Sequence, residues 1–282
     1  VSEDSIAVLV LDSTGNHLHM HTVFSSQNLE NIGSLCSDYS GQTYLATSFL
    51  ELVSFGDHEL TSSGGTHVAV AQYNSGGWLW AKSAGGTSDA SATDCDGRHD
   101  GGVAVVGDFL QNMTFGDLEI GPSVWVDFYE AHISDQGEWL HATGFGGGAA
   151  DHAAAIHITE QGDSLILGKT TGTLVLGEYT LTDIDGKNDG NHHDLFLGRR
   201  QANSTWDWAI AAGGGGDDLP DSLSMSATGS PVISFISNSD GTYGAHAFTQ
   251  RDHYDMGVWL YETDLDLDGV LDGLDNCPKL AN

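Results

Sequence analysis

The sequence predicts an all-β fold, and two observations lead to that prediction. One pattern recurs along the chain: a strand-like stretch, a turn rich in Gly, Asn or Asp, and a second strand-like stretch with aromatic or His residues at alternate positions. No stretch shows the apolar spacing that an amphipathic helix requires. Copies of the hairpin pattern occupy residues 5–24, 66–86, 126–147 and 193–214, with a degenerate fifth copy at 245–262.

The spacing of the copies predicts the architecture. The aligned positions His19, Trp80, His141 and Trp208 are separated by 61, 61 and 67 residues. Two further strand-like stretches lie between successive hairpins, which makes four short strands in each repeat of roughly 60 residues. Such a repeat is typical of a β-propeller blade. Because five hairpins accompany only four of the two-strand stretches, we expect about five four-stranded blades, one of them incomplete, over residues 1–262.

One stretch also resembles a known family. The segment "FGDHELTSSGGTHVAVAQYNSGGWLWAKSAGG" (55–86), with related copies over residues 5–262, is similar to the bacterial β-propeller repeat family of large secreted, multidomain surface proteins. The resemblance implies the propeller architecture and an extracellular or cell-surface location. That family has no common catalytic motif, so the resemblance implies no particular chemistry.

The charge of the chain excludes some partners. Its 282 residues contain 40 Asp and Glu against 8 Lys and Arg, for a formal net charge of −32. Nucleic acid is excluded as a partner because there is no basic stripe to neutralise phosphates, and anionic membrane surfaces are disfavoured for the same reason. No run of 18 apolar residues predicts a membrane span. So acidic a chain suits a salty or calcium-containing medium, in which counterions screen its self-repulsion.

The segment "DLDLDGVLDGLDNCP" (264–278) has the spacing of a calcium loop. A twelve-residue loop that begins at Asp264 places oxygen ligands at alternating positions and Gly269 at the sharp turn. Asp stands at position 12, where an EF-hand has Glu, and no helical pattern flanks the loop. The predicted Ca²⁺ ligands are Asp264, Asp266, Asp268, the Val270 carbonyl, Asp272 and Asp275.

Both departures from the EF-hand fit another family. The final segment "DLDLDGVLDGLDNCPKLAN" resembles the start of a thrombospondin type 3 repeat, which implies the same six calcium ligands and a separate short unit at 263–282. Asn282 falls where that family begins its next site, so we expect the chain to be part of a larger protein. A solvated acidic tail and a dockerin-like loop are the alternatives.

Three cysteines and two sequons bear on the compartment. Cys36 and Cys95 occupy nearly equivalent places in successive repeats, where they either form a disulfide or remain two buried thiols. Cys277 is expected to pair beyond residue 282. Asn112 and Asn203 lie in "NMT" and "NST" sequons beside predicted turns and are possible glycosylation sites in an extracellular protein.

Three other stretches contain several potential metal ligands. They are "HLHMH" (17–21), "TDCDGRHDGG" (93–102) and "DIDGKNDGNHHD" (183–194). A packing role is favoured for the first, since Trp78 and Trp80 occupy its equivalent positions. An acidic turn and a solvated insertion are favoured for the other two, while weak cation sites remain open.

These observations predict a non-enzymatic extracellular module that binds Ca²⁺ and serves adhesion, surface display or assembly. Self-association or contact with a neighbouring domain is expected through the unmatched hairpin 5–24, whose edge is free to accept another strand. A glycan or another surface ligand is a further possible partner. The alternative is a secreted propeller enzyme that acts on polysaccharide or another extracellular polymer, with an active site assembled in the central channel.

Overall fold

A computed structural model describes residues 4–26, 31–184, 192–227, 229–251 and 253–261. Every element of this part of the chain is a β-strand, and every strand pairing is antiparallel, which confirms the all-β class. No helix in these ranges has the length and apolar character needed to cross a membrane. The predicted calcium loop at 264–275 lies outside the described residues.

The strands repeat as units of up to four, in which neighbouring strands pair in the order given. Unit 1 comprises β1 (Asp4–Leu11) and β2 (His17–Ser25). Unit 2 comprises β3 (Asn31–Ser37), β4 (Thr43–Phe49), β7 (His67–Asn74) and β8 (Gly77–Gly86). Unit 3 comprises β9 (Asp94–Gly97), β10 (Val103–Phe115), β11 (Leu118–Ile133) and β12 (Trp139–Gly147). Unit 4 comprises β13 (Asp151–Ile158), β14 (Ser164–Thr170), β17 (Asp194–Arg200) and β18 (Trp206–Gly214). Unit 5 comprises β19 (Asp218–Met225), β20 (Pro231–Ser237) and β23 (Asp255–Leu260).

Short hairpins tie each unit to the one before it. In units 2, 4 and 5 the second and third strands are joined by a hairpin, and in unit 3 the long strands β10 and β11 form it themselves. Each hairpin pairs with the last strand of the preceding unit, as Phe55 does with Val23 and Met113 with Gly86. The three separate hairpins are β5 (Leu52–Phe55) with β6 (His58–Thr61), β15 (Leu174–Leu176) with β16 (Tyr179–Leu181), and β21 (Gly241–Tyr243) with β22 (His246–Phe248).

The predicted fifth hairpin at 245–262 is wrong. His246–Phe248 pairs with β21, whereas Asp255–Leu260 pairs with β20 as the third strand of unit 5. The alternation in this degenerate copy therefore comes from two strands with different partners. No pairing joins unit 1 to unit 5 within the described ranges, and no closed ring is seen there. A five-bladed propeller accordingly remains a prediction.

A five-residue turn recurs between strands and sets one end of the molecule. In the turn Asp38–Gln42, the first amide donates to the fifth carbonyl (3.0 Å) and the Gly41 amide donates back to the first carbonyl (2.9 Å). The turn Thr159–Asp163 repeats both bonds at 2.9 and 2.8 Å. Gly41 and Gly162 both adopt φ of +83°, which glycine accepts without strain.

The core lies between successive units. The second strand of unit 2, β4, and the third, β7, are buried along nearly their whole length, because neighbouring units cover both faces. Aromatic rings fill the space at the outer end, where Phe115 packs edge-on against Tyr129 and Trp139 at 5.1 and 5.0 Å between ring centroids. This packing fixes the hairpin end of β10 against the last two strands of its own unit, whereas Phe128 and Phe196 stack between units 3 and 4 at 5.1 Å.

Candidate binding face

The turns after the first strands of units 2 to 5 meet at one end of the molecule. We call this surface the inner-turn face. It contains two adjoining clefts of about 410 and 460 Å³, which share Glu160 and Gln161 from the β13–β14 turn. The first cleft is lined by residues that include Arg98, His99, Asp100, His132, His141 and Arg200. The second is lined by residues that include Tyr39, His157, Arg199, Trp208 and Met225.

Aromatic rings form part of this surface. Tyr39, which is 58% exposed, stacks on His99 with the two rings inclined by 27°. Because Tyr39 lines the second cleft and His99 the first, this stack lies between the two. Trp208 adds a larger ring to the second cleft. An aromatic surface beside fixed polar groups is the usual composition of a small-molecule binding site.

The buried side of the first cleft is an ion pair between units 3 and 4. Glu130 is fully buried on β11, and its carboxylate accepts hydrogen bonds from Arg200 (2.8 Å), His132 (2.8 Å) and the Ser164 hydroxyl. Burial by itself raises the pKa of Glu130, but the contacts with His132, Arg200 and Ser164 outweigh it and lower that pKa to about 2. The carboxylate is therefore ionised throughout the physiological range.

Two histidines complete this network. Arg98 donates to Nδ1 of His132 at 2.8 Å, so His132 donates from Nε2 to Glu130. Arg200 lies 3.1 Å from Nε2 of His141. Burial and the charge of Arg200 lower the pKa of His141, which is therefore neutral at pH 7. The hydrogen bonds among these side chains hold them in place. Ser164 donates a hydrogen bond to Glu130, whose low pKa makes it too weak a base to remove the hydroxyl proton.

The arginines on the face are paired with carboxylates. Each of its three arginines contacts a carboxylate: Arg98 with Asp100 at 2.5 Å, Arg199 with Asp163 at 2.6 Å and Arg200 with Glu130 at 2.8 Å. The arrangement offers hydrogen-bond donors and acceptors without a net positive field. It therefore suits a polar, uncharged ligand better than an anion.

The structure places several residues that the sequence singled out. Cys36 on β3 and Cys95 on β9 form a disulfide, with their Cα atoms 5.9 Å apart, between the first strands of units 2 and 3. Asn112 and Asn203 are both exposed. The Asn112 amide donates to Glu119 at 2.8 Å, and Asn203 lies in the β17–β18 turn.

The other stretches with potential ligands have different environments. His17 and His19 are exposed, so the expected packing role does not hold for them, whereas His21 packs edge-on against Tyr73 at 5.1 Å. Asp94 and Asp96 accept backbone hydrogen bonds from Ile156 and Ile158 at 3.0 and 2.8 Å. In the third stretch, residues 185–191 lie outside the described residues.

Sequence reasoning missed Glu130, His132 and Arg200. They belong to no motif, and Glu130 and Arg200 are 70 residues apart in the chain. One local signal was present: in "DFYEAHI" the apolar pair Phe128 and Tyr129 covers both faces of the strand, and Glu130 shares the face of Phe128.

No protein-family model and no curated protein matches the chain. The resemblances to the bacterial β-propeller repeat family and to the thrombospondin type 3 repeat therefore remain predictions. Among solved structures, the chain is similar to a crystal structure of a protein of unknown function from Bacteroides caccae, at 11% sequence identity and a TM-score of 0.44. The match covers 86% of this chain and 69% of the other. So distant a likeness carries no argument about fold or function.

Proposed function

We propose that this chain is a non-enzymatic, calcium-binding extracellular adhesive module that binds an uncharged glycan on its inner-turn face. The observation that carries the proposal is the pair of adjoining clefts with exposed aromatic rings and paired charges. Sugar rings present both apolar faces and hydroxyl groups, and Tyr39, Trp208 and Gln161 offer the matching apolar and hydrogen-bonding surfaces.

The chemistry of the cleft favours binding over catalysis. A general acid or base near neutral pH needs a pKa close to that pH. Glu130 has a pKa of about 2, and its oxygens are engaged by Arg200, His132 and Ser164. Such a group positions its neighbours and does not exchange protons with a substrate.

The remaining parts of the proposal rest on the sequence and on the disulfide. A disulfide between Cys36 and Cys95 suits an oxidising compartment outside the cell. Calcium is assigned to the loop Asp264–Asp275 by its spacing and by its resemblance to a thrombospondin type 3 repeat. A propeller with about five blades remains the architecture that the repeated units favour, with its closure supplied by segments outside the described residues or by another chain.

A binding experiment tests the glycan assignment. The full chain is passed over immobilised neutral and acidic polysaccharides, alongside the variants Tyr39→Ala and Trp208→Ala. We expect binding to neutral glycans that each variant weakens at least about tenfold, as the loss of about 1.4 kcal/mol predicts. Trp125→Ala is the matched control, because Trp125 is also 58% exposed but lies midway along β11 and lines neither of the inner-turn clefts.

Two outcomes count against the proposal. Equal weakening by Trp125→Ala, or no binding to any neutral glycan, removes the inner-turn face as a glycan site. Release of shorter sugars from the immobilised polymer, abolished by Glu130→Gln, supports the polysaccharide-degrading alternative instead.

A further inference from the structure

The units meet in a repeated geometry, which places two positions side by side at each junction. One is an equivalent position on the third strand of a unit: His67 and Asp194, which begin their strands, and Asp127, which lies within β11. They pair with Phe49, Thr170 and Phe109. The other lies at or just before the first strand of the following unit: Asp151 and Asp218 begin β13 and β19, and Ala90 forms an isolated bridge ahead of β9. They pair with Thr170, Ser237 and Phe109. The 2–3 junction, between units 2 and 3, therefore has His and Ala, whereas the 3–4 and 4–5 junctions each have two aspartates.

A glycine brings the two carboxylates of the 4–5 junction together. A Cβ atom at Gly213 would lie 2.2 Å from Oδ1 of Asp194 and 2.6 Å from Oδ2 of Asp218, so both oxygens approach one point. Gly146 is the equivalent residue at the 3–4 junction, where a Cβ would lie 2.1 Å from Oδ1 of Asp127. The glycines at the end of the fourth strand of a unit thus leave space for the side chain at the equivalent position of the third strand in the same unit.

Three of these four carboxylates have at least one buried oxygen without a hydrogen-bond partner, whereas Asp218 accepts from the Gly214 amide at 2.9 Å and from the Tyr243 hydroxyl at 2.5 Å. Asp151 is completely buried, and neither of its oxygens has a hydrogen-bond partner in good geometry, although the Thr170 hydroxyl and the Gly147 backbone lie near them. Oδ1 of Asp127 also lacks such a partner, as does Oδ1 of Asp194, whose side chain is 3% exposed. Buried oxygens of this kind are costly unless something positive meets them.

The neighbouring histidines do not neutralise the pairs. His152, next to Asp151, contacts Asp108 at 2.7 Å, and His193, next to Asp194, contacts Asp217 at 3.1 Å. Burial raises the pKa of Asp151 to about 7, with a further increase from the charge of Asp127, although Thr170 and Gly147 oppose it. Burial likewise raises the pKa of Asp127 to about 6. Each junction therefore has a buried carboxylate oxygen for which the described residues provide no hydrogen-bond donor in good geometry.

We propose that the 3–4 and 4–5 junctions each bind one divalent cation of the calcium class, held between Asp127 and Asp151 and between Asp194 and Asp218. Ca²⁺ binds carboxylate oxygens and accepts main-chain carbonyls and water as its remaining ligands. In the described ranges, no group of three or more His, Cys, Asp or Glu side chains is arranged for a metal. Each site accordingly relies on two carboxylates and on such additional oxygens.

The 2–3 junction supports this assignment as an internal comparison. There Nε2 of His67 lies 3.0 Å from the Gly86 carbonyl, and Ala90 is buried with no polar side-chain atom. The same backbone positions thus form a junction without carboxylates when neither side chain is acidic. The 3–4 and 4–5 junctions each have both aspartates, and the 2–3 junction has neither. This pattern is expected if the two aspartates of a junction bind one cation together.

The test uses the full chain with Asp268→Ala, which removes the predicted C-terminal calcium loop, and Ca²⁺ alone as the probe. Calorimetry should show about two Ca²⁺ per chain, with dissociation constants of about 0.1–1 mM, as in extracellular modules. Two double variants replace the aspartates of one junction with the His and Ala of the 2–3 junction: Asp127→His/Asp151→Ala and Asp194→His/Asp218→Ala. Each double variant should bind one fewer Ca²⁺ per chain.

The isosteric variants Asp127→Asn/Asp151→Asn and Asp194→Asn/Asp218→Asn guard against misfolding. Each should raise the melting temperature without Ca²⁺ and reduce the rise that Ca²⁺ produces. Absence of Ca²⁺ binding in the Asp268→Ala chain, or binding unchanged by all four junction variants, overturns the proposal and shows that the carboxylates share protons. The difference between the intact and Asp268→Ala chains measures the C-terminal loop separately, so the two claims fail independently.

Discussion

The 2–3 and 3–4 junctions have the same backbone pairing but different means of holding the units together. At the 2–3 junction, Val70 and Ile133 are both fully buried in one core cluster, and a disulfide joins the first strands. The register of the strands places Glu130 and Arg200 at the equivalent positions of the 3–4 junction. At these equivalent positions, one junction is thus apolar and covalent, and the other ionic. The repeat therefore determines how the strands of each junction pair. The stability of the 2–3 junction depends on the redox state of its disulfide, and that of the 3–4 junction depends on pH.

The ionic junction should show the largest effect of a single substitution. Arg200→Ala leaves Glu130 buried without its main counter-charge, and we expect a loss of about 3–5 kcal/mol in the free energy of unfolding by urea. Arg199→Ala is the control, because its pair with Asp163 is more exposed, and its cost should be smaller. Glu130→Val/Arg200→Ile reproduces the apolar pair of the 2–3 junction and should restore most of the stability. Equal losses in all three variants would contradict the comparison.

The covalent junction should respond to reductant. The disulfide closes a loop with a sequence separation of 59 residues. Reduction, or Cys36→Ala/Cys95→Ala, should therefore cost about 2–4 kcal/mol. The measurement is urea unfolding with and without reductant. The double variant is the control, since reductant should not change its free energy of unfolding. If reductant leaves the free energy of unfolding of the wild type unchanged, the disulfide does not stabilise the junction.

Acid should weaken the 3–4 junction selectively. The pKa of Glu130 is about 2 in the folded chain and near its ordinary value of 4.5 when unfolded, so its contribution is fully present above about pH 4.5. That contribution is lost as the pH falls from about 4.5 towards 2. Unfolding measured between pH 5 and 2 should show a shallower decline in Glu130→Val/Arg200→Ile than in the wild type. Parallel declines would show that other carboxylates dominate acid unfolding.

The outer edges of units 1 and 5 should contribute least to stability. In the described ranges, β1 pairs only with β2 and β23 only with β20, while Met256 and Val258 are 77% and 73% exposed on β23. We expect copies of the chain to meet through these edges by strand addition. Val258→Lys should weaken association in light scattering while changing stability by no more than about 0.5 kcal/mol. Deletion of residues 1–24 should also weaken it, and a monomeric wild type at high concentration would exclude the idea.

The sequence predicted the repeat because local chemistry encodes it. Hairpins bounded by glycine and alternating residues are visible without tertiary information, and the register confirms one alignment in detail. His19, Trp80, His141 and Trp208 lie opposite Val10, Gln72, His132 and Arg199, each just before a bulge in its hairpin.

The sequence did not predict the true pairing of residues 245–262 or the residues of the site, because both depend on which strands and units come together in the fold. Residues 245–262 alternate in a hairpin-like manner, yet pair with two different strands. Glu130 meets Arg200, and Asp127 approaches Asp151, only once units 3 and 4 are packed. Nothing in the local sequence distinguishes Asp127 and Asp151 from the many carboxylates that remain in solvent.

The central claim is that equivalent junctions are stabilised in different ways, one by a disulfide and others by Ca²⁺. Amide hydrogen exchange measured for each strand tests this claim. The Asp268→Ala chain is compared with and without Ca²⁺, and with and without reductant. We predict that reduction speeds exchange mainly in β3 and β9, and that Ca²⁺ removal speeds it mainly at the starts of β13 and β19. Equal responses of all four strands to both treatments would contradict the account.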